Sequence, residues 1–234
     1  MNIVDFSDAA IVMAHPDDEV LWSGSLVALV GCIVLCYGHN PKKPERHAQR
    51  LSVVRAYPYP GVKFLDLVEP RDAPVPKDMR VEPRSMSELR RESEALELNI
   101  LLKELKFALR GAKVVFTHNP WGEYGHVDHR RVNLAVNTLA PELGYAVYTS
   151  CYLERRSMLR YGAFLTEGIA DAISLPLTQS EIDPVVALYK QHACWTWNAN
   201  WIWPKEEHFL RFGRAVGLSA PPAPLPLLLF DSGW

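Results

Sequence analysis

The chain has 234 residues, 48% of them hydrophobic, which suits one large domain with a single core, or one domain with a modest appendage. Its formal net charge is only -2, with Lys and Arg scattered or confined to helical faces, so nucleic-acid and anionic-membrane surfaces are excluded and a small or neutral partner is expected. No run approaches the roughly 18 apolar residues of a membrane span, and Met1-Asn2-Ile3-Val4-Asp5 lacks the pattern of a signal peptide, so the expectation is a cytoplasmic protein without a membrane span.

Residues 9–14 (AAIVMA) form a continuous apolar run that breaks into His15-Pro16-Asp17-Asp18-Glu19. Such a run reads as a buried parallel strand delivering its C-terminal end to a loop, which is where open α/β sheets keep their ligands. Residues 20–29 (VLWSGSLVAL) read as a helix carrying the chain back across the sheet, ended by Gly31. A second strand is predicted over Gly31 to Tyr37, a charged helix from Lys42 to Tyr57 stopped by Pro58 and Pro60, and a third strand over Val62 to Leu67.

The proline-rich stretch from Glu69 to Pro83 has no period and reads as a surface loop, a candidate lid. Ser85 with Glu88 has capping-box spacing ahead of a helix whose apolar positions include Leu89, Leu96, Ile100, Leu101 and Leu105, with Gly111 as the stop. Lys113 to Thr117 is the next strand. It opens onto a second polar knot, residues 118–129 (HNPWGEYGHVDH), followed by a helix from Asp128 to about Leu139. Tyr145 to Thr149 and, more weakly, Ala172 to Leu175 read as strands, and Ser180 to His192 as a helix. From about residue 219 a Pro-rich tail is expected to lie extended against the body. Its apolar residues leave a homo-oligomer open. The alternation of strands and helices predicts a single Rossmann-like α/β domain, with a mostly parallel doubly wound sheet and helices on both faces.

Both knots lie just past strand ends, so one crevice can hold them. They contain His15, Asp17, Asp18, His118, His126, Asp128 and His129. Two imidazoles and one carboxylate make a mixed N/O site suited to zinc with a position left open, which implies catalysis rather than structure. His118 reads as a loop hydrogen-bonder. The four cysteines lack metal-site spacing and read as buried free thiols.

His15-Pro16-Asp17-Asp18-Glu19 with Gly125-His126-Val127-Asp128-His129 resembles the PIG-L/LmbE family of zinc-dependent N-deacetylases, over about residues 9–150. The resemblance implies His15, Asp18 and His129 as metal ligands, Asp17 as general base, and a protonated His126 as acid or oxyanion partner. It further implies that Asp128 orients and tunes His126 and that Tyr124 contacts the intermediate. Where the best-known members have proline, this chain has Val127. The cofactor implied is Zn2+, with Fe2+ or Co2+ as other divalent options, and the partner is a small N-acetylated sugar of the N-acetylglucosamine type.

Trp121, inside the second knot, is the tryptophan expected to stack on substrate, and Glu19 is a second substrate-side or helix-N-terminal candidate. The crowded Trp195, Trp197, Trp201 and Trp203 are equally able to line a sugar pocket or fill a core. Three alternatives stay open: an amidase on another small amide conjugate, a catalytically silent sugar-binding relative, and an iron oxygenase using His15, Asp17 and His129 as a facial triad.

Overall fold

A computed structural model describes residues 5–40, 43–69, 98–157, 161, 168–212 and 227–230. Its central strand, β1 (Ala9–Met13), is buried throughout and runs parallel to β2 (Cys32–His39) on one side and β4 (Val114–Thr117) on the other. The remaining elements are α1 (Asp18–Trp22), α2 (Pro44–Arg55), β3 (Val62–Val68), α3 (Leu98–Ala108), α4 (Val127–Leu143), β5 (Ala146–Ser150), β6 (Tyr152–Glu154), β7 (Ile169–Pro176), α5 (Gln179–Gln191), β8 (Glu206–Phe212) and β9 (Leu228–Phe230).

The main sheet has the order β3-β2-β1-β4-β5-β8-β7. Its first five strands are parallel, and β8 and β7 are antiparallel additions at one edge. β1 and β2 alternate their side chains between two cores, as period-two strands buried on both faces must. Ile11, Met13, Ile33 and Leu35 pack with Trp22 of α1, Val53 of α2, and Ile182, Val185 and Tyr189 of α5. Ala10, Val12, Val34 and Cys36 face Leu101 and Leu105 of α3 and Val132 and Val136 of α4. Each fully buried aliphatic side chain contributes about 1.5–3 kcal/mol, so burial at the sheet centre is a large stabilising term.

This order carries the function. The chain winds outward from β1 to β2 and β3, then returns to place β4 and β5 on the opposite side of β1. The direction therefore switches between β1 and β4, where diverging connections leave a crevice at the carboxyl ends of the strands. Val12 pairs with Thr117 across that junction. The two polar knots begin two and one residues further on, at Ala14-His15 and at His118.

Several expectations are corrected. The helix predicted over residues 20–29 is instead the short α1 and a separate 3₁₀ turn, Gly24–Leu26. The interruption has a tertiary cause: the buried Glu207 carboxylate of β8 accepts the amide N–H groups of Gly24 at 3.3 Å and Ser25 at 2.7 Å, diverting them from helical partners. α4 runs past Leu139 and through Pro141 because Gly144, at φ 76°, supplies the left-handed stop. β6, β8 and β9 were not predicted. Leu228 to Phe230 of the tail pairs in parallel with β6. Residues 70–83 of the candidate lid and the Ser85–Glu88 capping box lie outside the described residues. The four cysteines are free thiols. Among the described residues, no helix is long and apolar enough to cross a membrane.

Candidate active site

The first knot leaves β1 and turns at once. The Ala14 amide donates to His118 Nε2 at 2.9 Å, the His15 amide to Asp18 Oδ2 at 2.8 Å, and the Asp18 amide back to the His15 carbonyl at 3.2 Å. Between them Asp17 sits at φ 98°, a left-handed conformation that costs a non-glycine residue energy and is tolerated best by Asp and Asn. The strain turns Asp17 and Asp18 toward different partners. Asp17 Oδ2 accepts two hydrogen bonds from Thr196, one from its amide at 2.8 Å and one from its hydroxyl at 2.6 Å. Asp18 Oδ1 accepts the Trp22 indole N–H at 3.0 Å.

The second knot leaves β4 and closes on the first. Gly122 takes φ 74°, and a Cβ there would stand 2.5 Å from the His126 carbonyl oxygen, so this turn requires glycine. The turn brings His129, in the first turn of α4, to Asp18: its Nε2 lies 3.3 Å from Asp18 Oδ2, while His15 Nδ1 lies 3.2 Å from the same oxygen. One carboxylate oxygen thus sits between two imidazoles contributed from positions 114 residues apart. The His126 and His129 rings stack at 4.6 Å, and His126 meets His15 edge-on at 5.1 Å. Tyr124 packs 5.6 Å from His126 and 5.3 Å from His129. The structure therefore brings together His15, Asp17, Asp18, Tyr124, His126, Asp128 and His129.

Burial opposes every charge here, and the partners decide the outcome. Burial followed by the neighbouring Asp18 charge pushes the Asp17 carboxyl up to about 7, against the Thr196 bonds. Burial would raise Asp18 as well, but His129, His118 and His15 together hold it well below the usual carboxylate range. Burial would lower His15, yet Asp128 and Asp18 on its two nitrogens outweigh that and raise it to about 9. His126 is held well below its ordinary value, first by burial and then by the His129 and His15 charges.

One contact differs from the one expected. His126 Nδ1 accepts the Asp128 amide at 3.2 Å, so a ring proton sits on Nε2. The Asp128 side chain does not orient His126. Its carboxylate instead lies 3.3 Å from His15 Nε2 and accepts Arg131 Nη1 at 2.5 Å. The first turn of α4 points a residue-128 side chain away from the residue-126 cap, which adjacency in sequence does not reveal.

Trp121 and Glu19 are both 0% exposed, so neither offers a surface to substrate. Trp121 packs with Leu153 and Tyr161 and donates its indole N–H to the Tyr152 carbonyl at 2.9 Å. Glu19 anchors the first knot. It accepts the Tyr57 and Tyr189 hydroxyls at 2.8 Å each and the Asp17 amide at 3.1 Å, while burial pushes its carboxyl up to about 8 against the tyrosine bonds. Glu19→Ala leaves three buried donors without an acceptor, at ~1–3 kcal/mol each. A loss of at least about 3 kcal/mol is expected, read as a fall in Tm of about 6 °C or more at ~2–4 °C per kcal/mol.

The residues fit a divalent ion. Among the described residues two sets of donor atoms are compact enough to hold one, His15 with His126 and His129, and Asp18 with His118 and His129, and each contains two of the three expected ligands His15, Asp18 and His129. His118 is excluded as a ligand because its Nε2 lone pair already accepts the Ala14 amide. His129 is common to both sets, and its buried Nε2 forms no hydrogen bond among the described residues. Its Nδ1 is 2.7 Å from Glu123 Oε2, which selects the Nδ1–H tautomer of the neutral ring and would leave Nε2 to ligate an ion. Glu123 and Thr196 were missed by the sequence reading. Thr196 carries no motif, and Glu123 looked like one more loop acid beside Tyr124.

No family model and no curated protein matches the chain. Among solved structures, it is similar to a teicoplanin-biosynthesis deacetylase in complex with teicoplanin, at a TM-score of 0.56 and 12% identity, covering 89% of this chain and 99% of that one. It is similar to the antimicrobial reagent A40926 pseudoaglycone deacetylase, at a TM-score of 0.56 and 14% identity over 92% and 100% of the two chains. It is also similar to a zinc-inhibited teicoplanin deacetylase, at 0.52 and 14% over 80% and 84%. At these identities the likeness is one of fold: a seven-stranded, mostly parallel mixed sheet flanked by helices, as in those deacetylases.

Proposed function

We propose that this chain is a metal-dependent hydrolase that removes an acetyl group from an N-acetylglucosamine-type amino sugar or its conjugate. The observation that supports it most is the single Asp18 oxygen between His15 and His129, with Asp17 next to it but held apart by Thr196. His15, Asp18 and His129 would hold the ion, Zn2+ in this reading. When bound, such an ion acidifies a water molecule and polarises an amide carbonyl.

The chain's own groups supply the rest. Both Thr196 bonds fall on Asp17 Oδ2, leaving Oδ1 to take the proton of the attacking water. An elevated carboxyl pKa suits this role, since a base works best when its pKa is near the working pH. His126 Nε2–H and the Tyr124 hydroxyl are neutral donors for charge growing on the substrate oxygen. Burial and the surrounding carboxylates raise the Tyr124 hydroxyl well above its ordinary value, so it stays a donor. The proton taken at Asp17 Oδ1 is then available to the departing amine.

Similarity of fold to a deacetylase in complex with teicoplanin and to the A40926 pseudoaglycone deacetylase supports deacetylation as the reaction. The test is amine release from a panel of N-acetylated sugars and conjugates, using zinc-replete and chelated protein. Activity that disappears with chelator and returns with zinc is the expected result. Full activity in chelator defeats the metal reading, and zinc binding without amine release from any substrate favours a silent binding protein.

A further inference from the structure

The second knot contains a carboxylate that the mechanism does not use. Glu123 is 0% exposed and held at φ 50°, another left-handed non-glycine residue at the site. Four donors converge on it. His129 Nδ1 at 2.7 Å and His118 Nδ1 at 3.1 Å share Oε2, while the Asn119 amide at 3.1 Å and the Ser150 hydroxyl at 2.7 Å share Oε1. The two imidazoles stack at 3.8 Å with planes 15° apart, so they reach the same oxygen side by side.

Each imidazole uses its other nitrogen differently. His129 directs Nε2 at Asp18 Oδ2, 3.3 Å away, whereas His118 Nε2 accepts the Ala14 amide, one residue before His15. We propose that Glu123 is the positioning residue of the metal cradle: it holds the His129 ring and tautomer directly, and through His118 it holds the backbone that delivers His15. One buried acid thereby registers the β1 loop against the β4 loop. This inference rests on the metal-site reading above and adds the element that sets ion affinity. Outer carboxylates on ligating histidines fix the tautomer and raise ligand basicity, and their loss costs roughly 10–100-fold in metal affinity.

Glu123→Gln tests it. Four donors need an acceptor-only group, and a glutamine offers one oxygen plus two donors of its own, so it cannot satisfy the set. Zinc affinity, measured by competition with a chromophoric chelator, is expected to weaken by roughly 10–100-fold. Ser150→Ala, which removes one donor from Oε1 and leaves both histidines paired, should change affinity much less.

Proton NMR of the zinc-free protein supplies an independent readout, even if Glu123→Gln fails to fold. The unmodified chain should show far-downfield Nδ1 protons from His118 and His129. Unchanged zinc affinity in a folded Glu123→Gln protein, or absence of those resonances in the unmodified chain, overturns the proposal. An unmodified protein that shows the resonances but binds no zinc defeats the metal reading alone.

Discussion

Asp17→Asn is expected to keep the divalent ion and lose turnover by roughly 10²–10⁴-fold, the contribution of a positioned acid-base group. The substitution is nearly isosteric, and asparagine tolerates the left-handed φ of 98° as well as aspartate does. Its amide oxygen can accept both Thr196 bonds, so the fold and the first knot should be undisturbed while the proton acceptor is gone. Zinc affinity and amine release measured on the same preparation separate the two effects. Loss of zinc together with turnover would make Asp17 a ligand rather than the base.

The same carboxyl predicts a pH dependence. Burial and Asp18 raise it to about 7, and it acts only when ionised, so kcat/KM should climb with pH through the neutral range and then level off. A bound dication favours the ionised form and shifts that climb to lower pH. For stability the sign is opposite. The folded state keeps a proton that the unfolded chain releases near pH ~3.9, so the contribution of Asp17 to folding is present at low pH and is lost as pH rises through about 7. Asp17→Asn, which resembles the protonated form, should therefore be more stable than the unmodified protein above neutral pH.

His129→Ala should lose more zinc affinity than the roughly 100-fold that an outer carboxylate commands, with turnover falling in step. Both compact donor sets contain His129, so no alternative set among the described residues survives the change. Its loss also strips Glu123 of its 2.7 Å partner and leaves His118 as the remaining imidazole on that acid. Competition titration with zinc is the decisive measurement, because circular dichroism should show an intact sheet: His129 lies in the first turn of α4 and not in a strand. Zinc held as tightly as in the unmodified chain would place the ion elsewhere.

Much of the architecture was legible because strands buried on both faces must be written as unbroken apolar runs. The β1, β2 and β4 segments are such runs, and the polar knots after them announce the crevice. The antiparallel edge was legible only in part: Ala172 to Leu175 of β7 read as a strand, but β8 did not. β8 (EEHFLRF) and the exposed half of β7 mix charge with apolar residues, as an edge with one wet face permits, and their short pattern resembles a loop. Helix α1 was overextended because an acid 183 residues away, Glu207, captures the amides of Gly24 and Ser25.

The chain's order of residues alone determined the kinds of chemistry available: an imidazole and two adjacent acids at the end of one buried strand, a second histidine pair after another, and an α/β framework able to bring them together. The partner of each group was decided only in three dimensions. Asp128 went to His15 and Arg131 rather than to His126, Glu123 took two imidazoles, Thr196 claimed Asp17, and Trp121 and Glu19 were buried beyond a ligand's reach. The reason is physical: residue types state which bonds a side chain can make, but a buried polar group must take whichever donor or acceptor the packed backbone sets within about 3 Å.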